Sequence, residues 1–199
     1  MTNYDIEDED SAASTLSQIQ DAFQQQQTAE YPLTSKKASF RKFRQHLSAF
    51  LEALAVTVVS QDLVIKDPGL MENMQVWITA MSSSPLRQFR HTATVFALEM
   101  ISHLSQNAAN IRRANGSTNR QLEAEQNKAA QNEPRIAQLS EKIKDGDTKL
   151  EVIETIIKDM FDTVFRHRYR DIDSKIRVDC IHELSNWINI LPDVFFDGT

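Results

Sequence analysis

Residues 136–164 read IAQLSEKIKDGDTKLEVIETIIKDMFDTV. Ile136, Leu139, Ile143, Gly146, Leu150, Ile153, Ile157, Met160 and Val164 recur at alternating steps of three and four residues. A repeat of about 3.5 residues keeps one seam of a helix facing a partner helix. Gly146 has no side chain to pack and reads as the weak point of this seam. Upstream, Leu104, Ala108, Ile111, Leu122 and Ala129 keep a looser register, and Asn132-Glu133-Pro134 interrupts the chain between the two runs. The pattern predicts an antiparallel coiled-coil hairpin with its tip near 132–134 and arms beginning near residue 100. Arms of about 30 residues would reach about 45 Å at the helical rise.

The flanking segments point the same way. The 199 residues include only 4 glycines and 5 prolines, too few turn residues for a strand-rich fold. An all-α protein is expected. A polar helix carries Leu16, Ile19 and Phe23 before a glutamine run from Gln24 to Gln27. A second helix, capped by Thr34 or Ser35, would bury Phe40, Phe43, Leu47, Phe50, Leu51, Leu54 and Val58. Asp67-Pro68-Gly69 marks a turn before a helix bearing Leu70, Met74, Trp77, Ile78 and Met81. Ser82-Ser83-Ser84-Pro85 signals the start of a long helix reaching about Gln131, with serine as cap and proline at its first position. The last helix spans about Asp173 to Ile190, capped by Asp171 or Asp173, with Ile176, Cys180, Ile181, Leu184, Trp187 and Ile188 inward. Phe195 and Phe196 have little near them to pack against, which suggests a fragment of a longer chain.

Charge is unevenly placed. The formal net charge is -6, and residues 1–30 hold seven acids without one Lys or Arg. Residues 31–51, YPLTSKKASFRKFRQHLSAFL, hold Lys36, Lys37, Arg41, Lys42 and Arg44 and no acid at all. On a continuous helix Lys37, Arg41 and Arg44 would share one exposed flank, with Lys42 on the far side. Cations beside the uncovered N–H groups of a helix start form a cradle for phosphate. A solvated face that keeps the protein soluble is the plainer reading, but such faces mix signs. Arg87, Arg112 and Arg113 would extend the path or belong to the surface, and Arg90 has a structural role. Lysines and arginines spread along helices suit phosphates rather than base edges, so binding would be independent of sequence.

Several chemistries are excluded. His46, His91, His103, His167 and His182 lie in helical segments without metal-ligand spacing, and Cys180 lies on an apolar face. No glycine-rich phosphate loop or nucleophile elbow occurs. No catalytic, cofactor or metal site is expected, and no enzyme activity. A single cysteine fits a reducing compartment, and no apolar run approaches a membrane span. A soluble, intracellular protein is expected.

Two helices share a pattern. Phe89–Ala97 reads FRHTATVFA and Ile176–Leu184 reads IRVDCIHEL, each with an apolar residue, then Arg, then a small residue three further on. That is the inner-helix pattern of HEAT repeats, with the hairpin as an insertion in a solenoid. Three longer stretches, PLTSKKASFRKFRQHLSAF, SSPLRQFRHTATVFALEMISHL and VFRHRYRDIDSKIRVDCIHELSNWI, resemble the N-terminal part of the stromal antigen (STAG) family, the HEAT-repeat subunit of cohesin. The resemblance covers roughly residues 31–199. It implies a HEAT-like helical solenoid with a protruding hairpin, binding to double-stranded DNA and to the kleisin subunit, and a role in sister chromatid cohesion on nuclear chromosomes.

The family's larger surface for kleisin and aromatic motifs lies mostly beyond HRYRD (His167–Asp171). Only Tyr169 and Arg170 carry over as partner-binding residues, and a plain helix terminus explains HRYRD equally well. The expected organisation is a disordered acidic tail over 1–10, N-terminal helical repeats over 11–115, the coiled-coil hairpin over 116–165, and the truncated start of the following repeat over 166–199. Phosphate contacts are expected from Lys36, Lys37, Arg41, Lys42, Arg44, Arg87, Arg112 and Arg113. The alternative function is a HEAT-type scaffold whose basic flank meets an acidic peptide without DNA.

Overall fold

One long helix organises the molecule, and its sequence shows why. In the computed structural model, which describes residues 9–26, 30–130 and 132–196, helix α5 spans Arg87–Gln126. Its first half is buried almost all round: Ala93, Val95, Ala97, Leu98, Met100, Ile101, Leu104 and Ala108 are covered, along with Arg90, His91 and Thr94. A helix apolar on every side belongs at the centre of a fold, and the small residues Ala93, Thr94 and Ala97 admit neighbours closely. Around it lie α2 (Phe43–Ser60), α4 (Pro68–Ser82), α6 (Glu133–Met160) and α8 (Ser174–Ile190). Helix α1 (Glu9–Gln25) rests on α4, the short α3 (Leu63–Lys66) joins α2 to α4, and α9 (Pro192–Phe196) folds back on α8. The described residues form no strand, as the scarcity of turn residues implies.

The hairpin forms from α5 and α6. Asn132 Oδ1 accepts the Arg135 N–H at 3.1 Å and caps α6, with Pro134 in the first turn. Every apolar position of the 136–164 seam is buried or half-buried, and the arms run antiparallel, since Arg112 meets Glu154 while Asn115 meets Asp147. Gly146 is not a weak point. It is a site of close contact between the arms: an added Cβ would lie 2.6 Å from Asn115 Nδ2 and 2.8 Å from its Cγ. Asn115 cannot withdraw, because its amide donates to Asp147 Oδ1 at 2.8 Å and to Ile143 O at 3.4 Å.

Past Met160 the helix widens into one π turn, Phe161–Phe165, before α7 (Arg166–Arg168). Side chains four apart stay on one face through the turn. Phe161 stacks on Phe165 at 4.6 Å between centroids, and Phe165 on Tyr169 at 5.7 Å. Trp187 of α8 closes the cluster, fully buried, with its indole N–H donating to Ser102 Oγ at 2.6 Å.

Several sequence expectations require correction. The second helix does not start at Thr34 or Ser35: a 3-10 turn covers Ala38–Phe40, and α2 begins at Phe43 with no side-chain cap. Its buried stripe is Leu51, Ala55, Val58 and Val59, while Phe43 and Phe50 are 40% and 60% exposed. The apolar residues of α2 span a wider arc than α5 covers, so their mean direction misplaces the inner face. Helix α5 begins two residues after Pro85 and ends at Gln126, and Ile181 is 55% exposed. Phe195 does find a partner, stacking on Trp187 at 5.4 Å. Glu9 and Asp10 of the expected tail open α1, whereas residues 1–8, 27–29, 131 and 197–199, with the ends expected at Gln27 and Gln131, lie outside the described residues.

Candidate nucleic-acid interface

The basic stretch is pinned at its start. Leu33 is buried, and the Tyr31 hydroxyl lies 3.0 Å from both His91 Nδ1 and Thr92 Oγ1 of α5. Burial raises the Tyr31 pKa, so the phenol keeps its proton. Beyond this anchor the backbone turns through Ala38–Phe40 and enters α2, whose first-turn N–H groups have no side-chain acceptor.

The eight candidate cations fall into two groups. Lys36, Arg41, Lys42 and Arg113 are exposed and form no ion pair among the described residues. The others are engaged. Lys37 Nζ lies 2.8 Å from Glu30 Oε2. Arg44 Nη1 donates to Asp179 Oδ2 at 2.9 Å, and Arg87 Nε donates to Asp173 Oδ2. Arg112 spans two partners, Glu154 Oε1 at 2.7 Å and Asp193 Oδ2 at 3.2 Å. The flank expected to hold Lys37, Arg41 and Arg44 together does not exist, because the chain leaves the helical path at residues 41–42. Arg44 lies seven and eleven residues before the buried Leu51 and Ala55, so it sits over the inner stripe. Its side chain retains 38% exposure, against 41% for Arg87 and 32% for Arg112.

The countercharges of Arg44 and Arg87 come from the stretch leading into α8 and its first turns. Burial pushes the Asp179 carboxyl up, but the His91 ring and the Arg44 guanidinium outweigh it and hold the pKa below its ordinary value. Arg87 does the same for Asp173, which also caps α8 by accepting the Lys175 N–H at 2.8 Å. These acids are 86 and 135 residues from their arginines, so no local pattern announces them. Arg90 behaves as the repeat pattern requires, gripping Asp171 and the carbonyls of Ser84 and Pro85.

HRYRD is divided. Asp171 points inward, whereas Arg170 is exposed with its guanidinium 4.8 Å from the centroid of the Tyr169 ring. Asp162, Arg166, His167, Tyr169 and Arg170 surround a depression of about 360 Å³. Among the described residues, no group of His, Cys, Asp and Glu could hold a metal, and no helix is long and apolar enough to cross a membrane.

A family model described as the STAG domain matches residues 29–142, and one described as the stromalin conservative domain matches residues 170–199. The chain is similar to cohesin subunit psc3 of Schizosaccharomyces pombe, 39% identical over 196 residues, which cover 98% of this chain and 20% of that protein. It is similar to cohesin subunit scc-3 of Caenorhabditis elegans, 33% identical over 179 residues, covering 88% of this chain and 16% of that one. The chain thus spans a fifth or less of these relatives. Its fold matches a solved cohesin subunit Scc3 from Z. rouxii with a TM-score of 0.88 at 21% identity, over 98% of this chain and 23% of that structure.

Proposed function

The chain belongs to the STAG family of cohesin subunits, and on that premise we propose that it is a non-enzymatic scaffold segment that binds double-stranded DNA through phosphate contacts. It acts within cohesin, in sister chromatid cohesion and chromosome segregation on nuclear chromosomes. The observation that carries the DNA reading is the acid-free stretch 31–51, whose exposed Lys36, Arg41 and Lys42 have no carboxylate partner among the described residues. Phosphates meet these first, together with the uncapped N–H groups at the start of α2. Arg44, Arg87 and Arg112 add the donors their carboxylates leave free, since a guanidinium carries five. Lys37 and Arg113 lie at the margins.

Tyr169 and Arg170 belong to a protein-binding surface for kleisin and other cohesin subunits, a role supported by the cation–π contact of the exposed Arg170 with the half-buried Tyr169 ring, since Tyr and Arg are favoured interface anchors. The working division is 11–115 as helical repeats, 116–165 as a coiled-coil hairpin, and 166–199 as the start of the following HEAT-like repeat.

Titration of short duplexes of unrelated sequence across a salt series tests the DNA reading. Log affinity should fall linearly with log salt, with a slope of about 0.9 per phosphate neutralised. K36E/R41E/K42E should abolish most binding, and R112E/R113E should weaken it less. A folded protein that ignores duplex DNA at low salt would favour a scaffold that receives an acidic peptide.

A further inference from the structure

Between α4 and α6 lies an open groove in two connected halves. One, of about 300 Å³, is lined by Val64, Met71, Glu72, Val152, Ile156 and Asp159, among others. The other, of about 540 Å³, continues past Glu72 and Asp159 to Val76, Ala80 and Thr163, with Ala13 of α1 also lining it. Thr79 Oγ1 lies 3.4 Å from Thr163 Oγ1 across the two walls. The floor is apolar: Val64, Met71 and Ile156 are buried beneath it.

The rim has one sign. Glu72 stands on the α4 wall, and Glu151 and Asp159 on the α6 wall. All three are exposed, and none forms an ion pair among the described residues. No Lys, Arg or His lines either half. Around the start of α8 the fold neutralises its carboxylates closely, as Asp171, Asp173 and Asp179 show. Here it leaves like charges facing one another over an apolar channel, an arrangement relieved by an entering cation.

Residues 1–30 are acidic without one Lys or Arg, and the basic stretch is anchored on α5 through Tyr31. The geometry points to a docking groove for a lysine- or arginine-rich amphipathic helix of a partner protein. Its apolar side chains would lie on Val64, Met71, Val152 and Ile156, and its cations would reach Glu72, Glu151 and Asp159. Charge speeds the encounter and apolar anchors slow release, so both halves of the pattern are needed. None of the residues assigned to DNA lines this groove.

A fluorescent amphipathic peptide of lysine and leucine, about a dozen residues long, is the probe, read by anisotropy at about 0.15 M salt, where remote charges are screened. The whole chain should bind it. Replacing the leucines by serine, the substitution pair E72K/D159K, or the groove-filling Thr155→Trp should each weaken binding at least about tenfold. The pair E141K/D145K makes the same charge change on the exposed distal hairpin and should leave affinity nearly unchanged. Thermal melts of each variant verify folding, and the serine peptide tests the groove on the unaltered protein. The proposal fails if the leucine peptide does not bind. It also fails if the serine peptide binds as well, or if E141K/D145K weakens binding as much as E72K/D159K, since either leaves only general electrostatic attraction.

Discussion

Asp171 accepts from Arg90 Nε at 2.7 Å and from Arg90 Nη2 at 3.3 Å, with 1% and 8% of the two side chains exposed. The pair crosses 81 residues of sequence and joins the first turn of α5 to the segment leading into α8. Arg168 Nη1 reaches the same carboxylate at 2.8 Å, and the Asp173 N–H fills its other oxygen at 2.8 Å. The HEAT-like arginine is therefore a tie between successive helical layers.

Arg90→Met should leave Asp171 buried without its main partner, at a cost of about 3–5 kcal/mol, the range for breaking a buried pair from one side. Arg90→Lys should rescue little, because an ammonium cannot fork between a carboxylate and two carbonyls. Urea unfolding followed by circular dichroism measures both. A loss below about 1 kcal/mol would place the pair in the exposed class.

The two hairpin glycines should respond with opposite signs. Gly116 has nothing within 4 Å of an added Cβ, so Gly116→Ala should stabilise by roughly 0.5–1 kcal/mol through helix propensity. Gly146→Ala meets the fixed amide of Asn115 and should destabilise despite the same propensity gain. Adding Asn115→Ala should recover part of that loss, a coupling that a double-mutant cycle reads directly.

Arg44 and Arg41 differ by three residues and should behave differently. Arg44→Glu sets a carboxylate against Asp179 and should cost about 1–3 kcal/mol, as breaking a partly buried pair does. Arg41→Glu, on an exposed side chain, should stay within about 0.5 kcal/mol. The swapped pair Arg44→Asp with Asp179→Arg should recover stability in thermal melts if the contact is mainly electrostatic.

Acid should loosen α8. Asp171, Asp173 and Asp179 all have folded pKa values below the ordinary 3.8, with arginines, and for Asp179 His91 ahead of Arg44, outweighing the burial that opposes them. A depressed folded pKa means stability that is fully present above the unfolded value and lost as pH falls through the folded one. The loss should begin below about pH 4 and deepen as each carboxylate protonates. Trp187 fluorescence in a Trp77→Phe background reports it, because Trp187 is buried on α8. Emission unchanged down to complete protonation would show that the arginine ties contribute little.

What the sequence determined by itself was local and periodic. The alternating steps over 136–164, the break at Asn132-Glu133-Pro134 and the FRHTATVFA pattern follow from helical geometry and were enough for an all-α protein with a long hairpin. The uneven charge of residues 31–51 was equally plain. Tertiary structure decided which of those charges are free, because Asp179 arrives at Arg44 from 135 residues away when α8 packs on α5. It also decided the role of Gly146, since a missing side chain looks the same in sequence whether it leaves a gap or admits Asn115. The exposed Phe43 and Phe50 show the same limit. Periodicity identifies an apolar arc on α2, but only the position of α5 fixes which part of that arc is covered.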